Sequence, residues 1–99
     1  MNFSFDVPAD FADYAWEVIA KGYYPAARMT VSGKQYRLNF YDAVRLNQEI
    51  LSELEHGGVF FEPNLVVVPS VTREAMEHAA QQLVLSGHVA SLVEEQPRP

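Results

Sequence analysis

Histidine is the scarcest chemical resource in this 99-residue chain: it has three, and no cysteine at all. Glu49, Glu53 and His56 fall at i, i+4 and i+7, so a helix there carries two carboxylates and an imidazole on one face. Glu74 and His78 repeat the pairing at i, i+4. Such spacings can converge on a metal ion, but they are equally the spacings of an ordinary solvated helix face. Neither run contains the H-E-x-x-H arrangement that joins two imidazoles to a base. No metal and no cofactor are therefore expected. The missing cysteines remove disulfides, thiolate ligands and thiol nucleophiles. None of Ser4, Ser32, Ser52, Ser70, Ser86 and Ser91 lies in a G-x-S-x-G elbow or an S-x-x-K motif, and no phosphate-cradling glycine loop is present. The expectation is a non-enzymatic protein with no catalytic residue singled out.

Binding chemistry is better represented. Seven of the twelve aromatics lie within the first 24 residues: Phe3, Phe5, Phe11, Tyr14, Trp16, Tyr23 and Tyr24. Most such side chains end in a core. Arg28, Arg37 and Tyr41, however, fall on the polar face of a predicted hairpin, where guanidinium and ring planes can stack against a peptide or a base. With Trp16 on an unusually apolar helix, these four are the candidate binding residues. Net charge opposes nucleic acid as the partner. The chain carries 7 basic and 13 acidic residues, a balance of −6, which repels phosphate backbones. Five bases against one acid between Val18 and Gln48 leave a locally basic stretch that suits an acidic partner.

The elements that must position these residues can be read from periodicity. Pro8 suits a first helical turn, and Ala9 to Lys21 reads as a helix stopped by Gly22. Its polar residues Asp10, Asp13, Glu17 and Lys21 form a narrow stripe, leaving an apolar arc of about 240° at the 100° per residue of an α-helix. That arc is too wide for one flat sheet. Arg28 to Tyr41 alternates as a hairpin around Ser32-Gly33-Lys34, with Met29, Val31, Tyr36, Leu38 and Phe40 inward. Asp42 caps a helix over Ala43 to His56 whose apolar side is Leu46, Ile50, Leu51 and Leu54. Val59 to Glu62 and Leu65 to Val68 read as two strands turning at Pro63-Asn64. Thr72 caps a helix over Arg73 to Leu85, with Val71, Ala75, Met76, Ala79, Leu83 and Val84 inward. His88 to Val93 is expected as a last edge strand, and residues 95–99 as a frayed tail.

These elements predict an α+β fold over residues 1–94, in the order α-β-β-α-β-β-α-(β). Three helices would pack on an antiparallel-dominated sheet of four to five strands. Phe3 to Val7 could add an extended arm, to its own subunit or to a neighbour. The amino terminus lacks the basic start and apolar run of a leader, and the longest apolar run, Leu65 to Val68, is far too short to cross a bilayer, so a soluble cytoplasmic protein without membrane contact is expected. The oily surface exceeds what one sheet with helices on one side can hide. The expected function is therefore a protein-interaction domain, homodimeric or bound to another protein. The alternative is a small enzyme or small-molecule binder with its pocket between the first helix and the sheet.

Overall fold

The computed structural model describes residues 2–96. The chain is α+β, in the order β1 (Phe3–Asp6), α1 (Phe11–Lys21), β2 (Tyr23–Val31), β3 (Lys34–Tyr41), α2 (Ala43–Gly57), β4 (Leu65–Val67) and α3 (Arg73–Leu85), followed by a short 3-10 helix (His88–Ser91). The four strands form one sheet ordered β1-β2-β3-β4. β1 and β2 pair antiparallel, as do β2 and β3, but β4 lies parallel to β3. The sheet is thus mixed, which corrects the antiparallel-dominated arrangement and the element order expected from periodicity. Parallel neighbours need a long crossover, and α2 supplies it.

The β2–β3 hairpin follows its sequence pattern. Ser32 and Gly33 both adopt positive φ (51° and 83°), the two-residue turn whose twist matches the flanking strands. Met29, Val31, Tyr36, Leu38 and Phe40 are all buried on one face. β2 begins five residues earlier than alternation suggested, because a register shift between Tyr24 and Ala27 absorbs Pro25 and breaks the period. β1 joins this sheet within its own chain, pairing Phe5 with Met29 and Asp6 with Arg28.

α1 and α3 cover the face that carries Met29, Leu38 and Phe40. Phe11, Val18, Val71, Met76 and Ala80 join those residues in one core cluster, with Val66 of β4 at its margin. α1 starts at Phe11 rather than Ala9, since Pro8 to Asp10 form a turn in which Phe11 N–H donates to Pro8 O. At its far end Gly22 takes φ 70°, and its N–H donates to Val18 O. The Gly22 carbonyl accepts from Asp42 N–H, and the Asp42 carboxylate occupies the space a Cβ on Gly22 would need. α3 matches its expected bounds, with Thr72 Oγ1 accepting from Ala75 N–H at 3.0 Å.

Two expected strands are absent. Residues 59–62 form no strand, and β4 takes β3 as its neighbour instead. Val59 and Phe61 are exposed. Residues 88–93 turn into the 3-10 helix and an extended tail. There the Asn64 side chain does what a strand would have done. Its Oδ1 accepts from Val93 N–H and its Nδ2 donates to Val93 O, both at 2.8 Å. Of the tail expected to fray, Glu95 is held against the sheet by its N–H on Gln35 O, while residues 97–99 lie outside the described residues.

Candidate functional site

The second sheet face carries Tyr23, Arg28, Arg37, Asn39 and Tyr41, by strand alternation and register. Arg28 and Arg37 are direct cross-strand partners, a like-charge pair that costs stability unless something intervenes. Glu95 intervenes. Its carboxylate accepts from Arg28 Nε at 2.7 Å and Nη2 at 2.9 Å, a bidentate pair. The bond raises the Arg28 pKa further, and Arg28 is engaged rather than open. Arg37 lines a shallow depression of about 270 Å³ with Asn39, Pro63, Asn64, Glu94 and Glu95. With the Glu95 carboxylate committed to Arg28, Glu94 is the acid that offsets the Arg37 guanidinium, and the depression does not favour a phosphate.

Tyr41 has a different environment from the two arginines. It is 3% exposed, beneath α2, and its hydroxyl donates to Glu62. Tyr23 lies against it with ring centroids 4.7 Å apart, and the Arg45 guanidinium sits 5.8 Å over the Tyr23 ring. Burial, then the bond to Glu62, pushes the Tyr41 pKa far above the usual phenol range; burial also raises Tyr23. A phenol held protonated this firmly is a poor acid, base or nucleophile near neutral pH. The arrangement serves to seat α2. Trp16, the fourth candidate, projects from α1 on the opposite side of the sheet and is largely exposed. The structure therefore pairs Arg28 with Arg37 across the strands, buries Tyr41 farther along the same face, and leaves Trp16 apart.

The first histidine cluster resolves into helix-surface contacts, and Glu74 and His78 are both exposed on α3. His56 Nδ1 lies 2.8 Å from Ser52 O, and Glu49 accepts from Arg45 Nη2 at 2.7 Å. Among the described residues no group of three or more His, Asp and Glu side chains is placed to hold a metal ion. Between α1 and the sheet, where the alternative reading placed a pocket, Phe11 meets Tyr24 edge-on at 5.1 Å and Tyr14 at 5.8 Å. The Tyr24 hydroxyl is buried there with no hydrogen-bond partner of good geometry among the described residues, although Tyr14 is close.

The feature that residue-by-residue reading missed is the exposure of α2. Its cap is sound, with Asp42 Oδ1 accepting from Arg45 N–H at 2.8 Å. None of its fifteen residues is buried. Leu46 and Ile50 are half-buried, whereas Val44 is 69% and Leu51 59% exposed, with Leu54 exposed beside them. This corrects the expectation that Leu46, Ile50, Leu51 and Leu54 form a buried face. The cause lies in what meets the sheet: Arg45 and Glu49 face the tyrosines, which rotates part of the apolar stripe into water. On the Glu49 side, a groove of about 370 Å³ runs between α2 and residues 59–62, lined by Tyr41, Glu49, Glu53, Val59, Phe60, Phe61 and Glu62. Phe61 at its rim is 83% exposed. The signal available in the sequence was the mixed character of that strand face, where tyrosines and arginines offered α2 no apolar seat.

No protein-family model matches the chain, and neither a curated protein nor a solved structure matches it. Among the described residues no helix is long and apolar enough to cross a membrane.

Proposed function

We propose that this chain is a non-enzymatic protein-interaction domain whose docking surface centres on α2. One observation carries the reading: a fully formed fifteen-residue helix buries none of its residues and turns Val44, Leu51 and Leu54 to solvent. A helix of that length is marginal by itself in water and draws most of its stability from packing its apolar side. An exposed apolar stripe of this kind is what a partner protein covers. Of the carboxylates lining the groove beside α2, Glu49 and Glu62 are already engaged by Arg45 and Tyr41.

The test is a photo-crosslinking side chain at Leu51, with the same group at Ser52 as control, in cells producing the full chain. Ser52 lies about 100° around the helix from Leu51. The reading expects a discrete adduct from position 51 and none from position 52, its mass showing whether the partner is another protein or a second copy. Equal labelling at both positions, or none at Leu51, sinks it.

A further inference from the structure

The two edges of the sheet are guarded unequally. β4 is three residues long and lies between Pro63 and Pro69, and very short strands beside prolines resist adding a neighbour. β1 at the other edge is four residues long, with Asp6 in it and Pro8 two positions beyond, but no proline precedes it and it contains no lysine and no bulge. Its hydrogen-bonding phase is set by one bond: Ser32 N–H donates to Asn2 O at 3.0 Å. In an antiparallel ladder such bonds alternate, so Asn2, Ser4 and Asp6 exchange hydrogen bonds with β2. The N–H and C=O groups of Phe3 and Phe5 therefore point outward from the sheet. Beside this edge lies a depression of about 300 Å³ lined by Phe3, Gln81, Val84 and Leu85, and Leu85 is 78% exposed.

We infer that β1 is a self-pairing edge, joining a second copy of the chain antiparallel about a two-fold axis at Ser4 to make a continuous eight-stranded sheet. The phase narrows the register, since only outward-pointing residues can exchange bonds. Of the two-fold registers it allows, the one that pairs Phe3 with the second copy's Phe5, and its Phe3 with Phe5, uses both outward residues of β1 and gives four main-chain hydrogen bonds. A slip by one residue sets outward groups against inward ones and makes none. The facing side chains are compatible. Phe3 falls opposite Phe5, whose ring is packed in the core of its own chain, on the α3 side; on the other side Ser4 meets Ser4 and Asp6 meets Asn2, with no like charges opposed. A stable interface buries roughly 1,000 Å² or more, beyond what two four-residue strands provide. The flanking Phe3, Val84 and Leu85 supply further apolar area, and a two-fold axis brings both flanks together. The charge of −6 on each copy opposes the pairing at long range, so added salt strengthens it. This association uses neither α2 nor residues 59–62 and stands apart from the docking surface proposed above.

Light scattering across concentrations, with amide exchange on the same samples, tests it. The full chain is expected to rise from 11.2 kDa toward twice that mass, with the Phe3 and Phe5 amides becoming protected as it does. Ser4→Lys and Ser4→Glu, both at an exposed position, should each weaken the dimer by roughly two- to fivefold, the scale of one unfavourable cross-strand pair. Their equimolar mixture should restore it. Circular dichroism confirms that each variant folds. A monomer at every concentration overturns the inference. So does a dimer in which Phe3 and Phe5 still exchange freely, or one indifferent to both substitutions; protection confined to α2 would leave the docking reading intact while removing this one.

Discussion

α2 and α3 are nearly matched as isolated helices and opposite as parts of a protein. Each opens on a side chain that caps the third amide beyond it, Asp42 on Arg45 and Thr72 on Ala75, and each spans three to four turns. α3 settles Met76 and Ala80 into the sheet face that carries Met29, Leu38 and Phe40. α2 settles no residue, because the face beneath it presents tyrosines and arginines. Local capping decides that a helix forms and where it starts. What lies underneath decides whether forming it hides anything from water.

The comparison breaks first at Met76, which is fully buried. Met76→Ala should destabilise by about 2–5 kcal/mol, the usual cost of emptying a core site, measured by urea denaturation. A loss under about 1 kcal/mol would mean that α3 is no better seated than α2.

Alkaline pH comes next. Tyr23, Tyr24 and Tyr41 all have folded pKa values raised above the ordinary 10.0, chiefly by burial. A raised value means the protonated form is favoured by folding, so their contribution is intact below pH 10 and declines as pH climbs toward the folded values. Stability should hold to about pH 10 and fall above it, with the tyrosinate absorbance of these three groups lagging that of the unfolded chain. Early titration of all five tyrosines would contradict the burial of Tyr41 beneath α2.

Smaller effects sharpen the contrast. Asp42→Ala and Thr72→Ala should each cost about 1 kcal/mol, since the caps are alike. Leu51→Ala should cost no more than about 1 kcal/mol in the isolated chain, its side chain being mostly in water already. A loss near that of Met76→Ala would show that Leu51 is covered in solution.

This difference also marks what was legible beforehand. The hairpin's buried face, both side-chain caps and the bounds of α3 follow from spacing, because each depends on residues within a few positions of one another. The partner of β4 does not. Leu65 to Val67 reads as a strand in any company, and nothing local distinguishes a hairpin with residues 59–62 from a parallel pairing with β3. The same holds for the candidate binding face. Alternation puts Arg28 and Arg37 on one strand face, but the carboxylate that engages Arg28 comes from Glu95, 67 positions away. Asn64 carries no propensity that announces its grip on Val93. Long-range choices of this kind are made by packing.

The corner where Gly22 meets Asp42 has a consequence for how the two sides of the sheet behave. The carboxylate that opens the outer helix fills the only room a side chain at position 22 could claim, and the amide of the same aspartate is tied to the glycine's carbonyl. A side chain at position 22 would collide with the aspartate that opens the outer helix, so one substitution there would disturb the end of α1 and the start of α2 together.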